Sequence, residues 1–279
     1  MSRIYAVANQ KGGVGKTTTT VNLAASLARM HKQVLLVDLD PQGNATMGSG
    51  IDKSAVEYSV YDVLVEQTPV DQVAVKSQDA GFDLLPANGD LTAAEVELLD
   101  VEGRDHRLRD LLGRATHYDY ILIDCPPSLN MLTINALVAA SGVLIPMQCE
   151  YYALEGLSAL SQTIEAVGSA LNPGLKIEGI LRTMYDPRNR LSQEVSDQLI
   201  EYFGDTVYRT IVPRNVRLAE APSFGQPVIV YDKTSRGALA YIALAGEILR
   251  RHGNPGVQIA ETEQQDSAGE AENPGQEAC

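Results

Sequence analysis

One stretch limits the fold of this chain more than any other. "RIYAVANQKGGVGKTTTTVNLAASLARM", residues 3–30, runs from a short apolar segment through a glycine-rich turn into a segment with apolar Val21, Ala24, Leu27 and Ala28. That is a strand, a turn and a helix with a buried face. The unit is what a phosphate-binding loop requires, because N–H groups of the turn and of the helix N-terminus converge on an anion. Lys16 then supplies a point charge, and the Thr17 hydroxyl is available to Mg²⁺. The common pattern of such loops has glycine six residues before the lysine, but here Gln10 occupies that place. The loop also opens on a second lysine, Lys11. Two ammonium groups in one tight loop repel, so Lys11 awaits an anion of its own.

The remaining chain alternates strand and helix. "VLLVDLD", "FDLLPAN", "DYILIDCPPS", "GVLIPMQCE", "KIEGILRTMYD", "TVYRTIVP" and "PVIVYD" read as strands. "ALEGLSALSQTIEAVGSAL", stopped by Asn172-Pro173-Gly174, "LSQEVSDQLIEYFG" and "RGALAYIALAGEILRRHG" read as helices. Residues 91–115 look helical and charged, and 44–115 as a whole is less regular. Strands this apolar, separated by helices, imply a twisted, mostly parallel sheet covered on both faces, an α/β architecture. No Pro/Ser-rich linker interrupts residues 1–252, so they are expected to form one domain.

Three acids close two of these strands. Asp124 ends "YILID", and Asp38 and Asp40 end "VLLVDLD". Carboxylates at the carboxyl ends of parallel strands gather where ligands bind. Asp124 stands where a Walker B carboxylate holds Mg²⁺ or its water, and one of the others is placed to orient an attacking water. Asp40-Pro41 is also a good turn starter, so capping is the competing role.

Composition narrows the function classes. Aromatic residues are 5% of the chain and Trp is absent, which favours an aliphatic core over a base-stacking surface. No apolar run approaches the ~20 residues of a membrane helix. The N-terminus carries no secretory pattern, and Cys125, Cys149 and Cys279 fit neither a disulfide framework nor a metal spacing, so a reduced cytoplasmic compartment is expected. The net charge of −14 argues, by itself, against nucleic acid. It is unevenly spread, however. After Arg251 there are six acids and no Lys or Arg, and residues 253–279 read as an acidic disordered tail. Arg182, Arg188, Arg190, Arg214, Arg217, Arg236, Arg250 and Arg251 supply a candidate basic face.

"KGGVGKTT" resembles the deviant Walker A motif of the ParA/MinD superfamily of P-loop ATPases. With "VLLVDLDPQGNAT", "YDYILIDCPPSLN", "PMQCEYYALEGL" and "VPRNVRLAEAPSFGQPVIVYD", the chain is similar over roughly residues 3–250 to the ParA/Soj chromosome-partitioning ATPases. The resemblance implies a single P-loop NTPase domain that binds ATP and Mg²⁺ and hydrolyses ATP slowly. Lys11, Gly12, Gly13, Val14, Gly15, Lys16, Thr17 and Thr18 would hold the nucleotide. Lys11 would reach the ATP of a second subunit, and Gly12 would lie at the packed dimer interface. Asp40 would serve hydrolysis, Asp124 with Thr17 would serve the metal, and Pro213 and Asn215 would embrace adenine. Glu150 falls in a segment the family places near the nucleotide and the dimer interface. The ATP-bound homodimer would bind double-stranded DNA without sequence preference, at the nucleoid, through Arg188 and Arg217 above all, with Arg190 and Arg214. A ParB-type centromere-binding partner would trigger hydrolysis.

The rivals within the superfamily differ in readable ways. A MinD-like membrane regulator needs a basic amphipathic C-terminal helix, and this C-terminus is acidic. Iron–sulfur relatives need paired cysteines or a C-x-x-C; Cys125 and Cys149 instead follow buried strands, as small core residues do. A plasmid-partition repressor would carry a helix-turn-helix ahead of the loop, which here starts at residue 9. The main alternative is an ATPase of the same kind positioning another cellular body.

Overall fold

A computed structural model describes residues 2–253 of the 279. The expected acidic tail falls, from residue 254 on, outside the described residues.

Eight strands form one sheet in the order β3-β4-β2-β5-β1-β6-β7-β8. They are β1 (Arg3–Val7), β2 (Val34–Asp38), β3 (Val75–Ser77), β4 (Phe82–Leu85), β5 (Tyr120–Asp124), β6 (Gly142–Gln148), β7 (Ile177–Tyr185) and β8 (Val207–Pro213). Every pairing is parallel except that of β3 with β4, at one edge. The helices are α1 (Lys16–Arg29), α2 (Asn44–Gly48), α3 (Val60–Leu64), α4 (Val70–Val73), α5 (Leu91–Glu97), α6 (Arg107–Leu112), α7 (Met131–Ala139), α8 (Ala153–Ala170), α9 (Arg190–Phe203), α10 (Val216–Glu220), α11 (Val228–Tyr231) and α12 (Arg236–Arg251).

Side chains alternate across each strand, and both faces are dry. Tyr5 and Val7 pack with Leu23 and Leu27 of α1 and Leu244 and Ile248 of α12. Ala6 and Ala8 face the other way, into a core with Leu132 of α7, Leu160 of α8 and Leu199 of α9. Each fully buried aliphatic side chain contributes roughly 1.5–3 kcal/mol relative to exposure, so burial on both faces dominates the favourable side of folding. Such two-faced burial is why the central strands read as continuous apolar runs rather than alternating ones.

The floor of the sheet is closed by a polar cluster. His252, just past α12, shares hydrogen bonds with Tyr5 Oη at 2.9 Å and Glu178 Oε1 at 2.7 Å. Hydrogen bonding within the buried cluster satisfies groups that would otherwise be costly to desolvate.

One expected strand is a helix. "PVIVYD" forms the single turn α11 behind Pro227, and Asp232 N bonds Val228 O. Four apolar residues in a row do not distinguish strand from helix. Here the proline sets the first turn, and Asn22 Oδ1 accepts the Val228 N–H at 2.6 Å, so that donor is withdrawn from any ladder. The irregular region 44–115 resolves into short helices around β3 and β4. Among these, α3 is started by a reciprocal Ser59–Asp62 capping box.

Candidate functional site

The candidate site sits over the carboxyl ends of β1, β2 and β5. The turn after β1 needs left-handed backbone at Gly13 (φ 73°) and Gly15 (φ 87°), which explains glycine at both. Gly15 caps α1 without a side-chain hydrogen bond, and the first turn carries no acid. The helix therefore presents open N–H donors and an uncompensated positive end. Val14 is buried, and its carbonyl accepts a 2.8 Å bond from Thr183 Oγ1, which ties the loop to β7. Gly12 differs from Gly13 and Gly15 in having no left-handed φ, and a Cβ there would meet nothing within 4 Å of the described residues, so this chain alone does not demand glycine.

The two lysines take opposite directions. Lys16 is buried, and its ammonium turns back to the Lys11 carbonyl at 3.3 Å. Burial pushes the Lys16 ammonium below its ordinary value, while the negative ends of Asp124 and Asp40 oppose that shift. Lys11 points outward and makes an ion pair with Glu150, with both side chains about half exposed. The Lys11 backbone N–H is held by Asn9 Oδ1 at 3.0 Å, and Asn9 Nδ2 bonds Pro146 O at 2.8 Å.

Asp124 lies fully buried at the end of β5, in register with Asp38 of β2. It accepts from Thr17 Oγ1 at 2.7 Å and from Thr20 Oγ1 at 3.0 Å. Asp38 accepts from Thr46 N at 2.8 Å and Thr46 Oγ1 at 2.7 Å. Burial raises both above the ordinary carboxylate range; the Asp38 carboxyl on the neighbouring strand pushes Asp124 further up, and Asp40 does the same to Asp38. A pair with that bias favours a cation beside it. Thr17 and Asp124 offer hard oxygen ligands fitting a magnesium ion that takes its remaining ligands from water and phosphate. Among the described residues no cluster of three or more His, Cys, Asp or Glu would hold a metal by itself.

Asp40 reaches the same space without being buried. Its Oδ1 accepts from Gln42 N at 3.0 Å, so it caps its own turn while lining a cavity of about 300 Å³. Gly12, Gly13, Lys16, Thr17 and Thr18 share that cavity. Asn44 and Met184 line it too, and neither was anticipated. Met184 takes a left-handed φ of 49°, uncommon for a residue with a long side chain, directly beside the phosphate loop. Nothing in the sequence marks it. Thr20 was legible in principle, since it lies three residues after Thr17 and so shares its helix face.

The structure brings the other candidates to the same edge, at the ends of β7 and β8. Tyr185 and Pro213 are register partners there. Asn215 caps α10, accepting from Leu218 N at 3.3 Å. Arg188, Arg190, Arg214 and Arg217 are exposed. Arg188 holds Asp186 down to about 2, and Arg214 adds to that effect. Arg190 pairs with Glu194, and Arg217 with Glu220 and Asp232.

Two of the expected basic residues are structural instead. Arg182 is buried, bonding Ser196 Oγ at 2.8 Å and Tyr208 O at 2.9 Å. Arg251 stacks 4.2 Å above the Tyr208 ring and bonds Glu247 at 2.9 Å. An arginine near a strand or helix end reads as surface in sequence, because its partners come from distant segments. Cys125 and Cys149 are buried, and burial pushes both thiols up, as fits small core residues.

A glycine-rich loop between a central parallel strand and a helix, with strand-end acids facing it, defines a P-loop nucleotide-binding protein. Comparison with known proteins agrees. Residues 2–177 match the family model described as AAA domain. The chain is 54% identical over 249 residues to sporulation initiation inhibitor protein Soj of Bacillus subtilis, covering 89% of this chain and 98% of that one. It is 52% identical over 252 residues to chromosome partitioning protein ParA of Caulobacter vibrioides, covering 89% and 94%. Among solved structures, cobyrinic acid a,c-diamide synthase from Mycobacterium smegmatis, with bound ADP and magnesium, superposes with a TM-score of 0.79 at 39% identity, covering 91% and 96%. The chain belongs to the ParA/Soj family of chromosome-partitioning ATPases.

Proposed function

We propose that this protein is an ATP-driven switch for partitioning DNA, active as a dimer on the nucleoid. The observation that carries the reading is the divergence of the two loop lysines. Lys16 turns into its own loop, while Lys11 is held outward at the surface. Lys16, the loop N–H groups and the start of α1 bind the phosphates of ATP, and Pro213 and Asn215 border the base. Thr17 and Asp124 hold Mg²⁺. When bound, the nucleotide supplies the bond to be cleaved and the metal neutralises charge on its phosphates. Asp40 orients the attacking water.

Lys11 contributes to the neighbouring subunit's site, acting in trans on developing phosphate charge. The open space around Gly12 supports this, since it leaves room for a second chain to pack closely there. The nucleotide edge also carries Arg188, Arg190, Arg214 and Arg217, so dimerisation joins two basic edges into one footprint. Their contribution is phosphate neutralisation, which carries affinity but no sequence information. A ParB-type partner then stimulates a slow hydrolysis and dissolves the dimer.

Particle size measured with ADP, with ATP and with a hydrolysis-resistant analogue, alongside DNA co-sedimentation, tests the reading. The expected result is a monomer with ADP and a DNA-bound dimer with ATP or the analogue. A monomer in every state, or DNA binding indifferent to nucleotide, overturns it.

A further inference from the structure

A second hollow, of about 950 Å³, lies between α8 and α9. Its apolar parts are Ile177 at the start of β7, Phe203 at the end of α9, and Leu154. Tyr202 stands at its margin with 85% of its surface exposed, its ring 5.3 Å from that of Phe203. Ser161 also lines the hollow, and its buried Oγ has no hydrogen-bond partner among the described residues. A buried hydroxyl without a partner is uncommon, because it bears a desolvation cost with nothing in return.

The charged side chains that line the hollow are both acidic, and Lys176, next to Ile177, is paired with Glu178. None of the 18 residues of α8 is Lys or Arg. The only cation of α9, Arg190, is engaged by Glu194 at the opposite end of the helix. Glu165 and Glu201 line the hollow and take part in no ion pair among the described residues. Neither helix has a basic residue in its last turn, so the partial negative charge of both C-termini is left uncompensated.

We infer that the α8–α9 groove is a docking site for a basic amphipathic segment of a partner protein. Its apolar side chains fill the floor over Ile177 and Phe203, Tyr202 closes over them, and its cations meet Glu165, Glu201 and the helix ends. A donor on the incoming segment satisfies Ser161. Leu154, Ser158, Ser161 and Glu165 line it at helical spacing along α8, and the last turn of α9 forms the other wall, a shape that receives an amphipathic helix. Nucleic acid and anionic lipid are repelled by this face, and a second copy of this acidic chain brings the wrong charge. The site requires neither ATP nor DNA, so it stands apart from the switch proposed above.

The test uses the full chain and a fluorescently labelled amphipathic peptide of leucine and lysine. Controls are the same peptide with glutamate for lysine and with serine for leucine. The leucine–lysine peptide is expected to bind, and the controls at least about tenfold more weakly, the loss typical of removing anchors worth ~1.4 kcal/mol. The double variant Glu165→Lys/Glu201→Lys, and separately Tyr202→Ala, should weaken binding by a similar factor while nucleotide affinity is unchanged. Ser158→Trp, which fills the groove from an exposed position, should do the same with an unaltered melting temperature. Equal binding of the serine–lysine peptide, affinity indifferent to these substitutions, or a self-association that the substitutions abolish overturns the proposal.

Discussion

Lys11 donates to a carboxylate oxygen of Glu150 in its own chain, across the mouth of the phosphate loop. The pair has side-chain exposures of 46% and 45%, so water screens it and its net worth is about 0–1 kcal/mol. A pairing this weak is one that a phosphate could replace. Replacing Glu150 by Gln removes the competitor without changing size. The ATP-dependent dimer should then form at up to ~5-fold lower protein concentration, read by sedimentation against ATP. A dimer that weakens instead would assign Glu150 to the nucleotide or the interface itself.

Lys16 and Asp40 line one cavity, yet their loss should separate binding from chemistry. Lys16→Ala removes a buried charge-assisted donor, and nucleotide affinity should fall by roughly 10–100-fold. Asp40→Ala removes a partly exposed carboxylate with one backbone partner. Stability should change by under about 1 kcal/mol, and ATP should still bind. Hydrolysis should stop, leaving a long-lived dimer on DNA. Rapid turnover by that variant would mean that another acid orients the water.

Asp38 and Asp124 are register partners on adjacent strands; burial raises both carboxyls, and repulsion from Asp38 raises Asp124 further. The folded state thus binds protons more tightly than the unfolded chain does. Stability without nucleotide should rise as pH falls from mildly alkaline toward mildly acidic, and be lost again as pH climbs through the raised folded values. Asp124→Asn removes the repulsion. Stability without nucleotide should increase by about 1 kcal/mol, read as a higher melting temperature, and the further increase given to the wild type by Mg-nucleotide should vanish. A lower melting temperature for the variant would place the hydrogen bonds from Thr17 and Thr20 above the repulsion.

Arg188 and Arg217 are exposed at 88% and 51% of their side chains and sit in local ion pairs. Reversing both to Glu should leave the fold and ATP binding intact. DNA co-sedimentation should fall by orders of magnitude, and each lost phosphate contact should lower the salt slope by about 0.9. Unchanged DNA affinity would move the basic surface elsewhere.

The phosphate loop and the strand-end acids were legible because each depends on a local pattern. Glycines at forced backbone angles, an apolar strand before them and a helical period after them all lie within residues 3–30. Partners that come from distant segments left no such trace. Arg182 looks like a surface cation until Ser196 and Tyr208 enclose it, and Thr183 gives no hint that it will anchor Val14. "PVIVYD" failed as a strand because Asn22, some 200 residues earlier, takes the Val228 donor. Helices α2 to α4 are one or two turns long, too short for a hydrophobic period to emerge.

The cluster that seals the floor has a practical meaning. Tyr5, Glu178 and His252 fasten the end of α12 beneath the sheet, so residue 253 lies at the edge opposite the phosphate loop. A fluorophore or surface tether joined at residue 253 has a rigid foothold on the far edge of the sheet from the phosphate loop. The molecule can be watched, or pulled, from behind while its working face turns over.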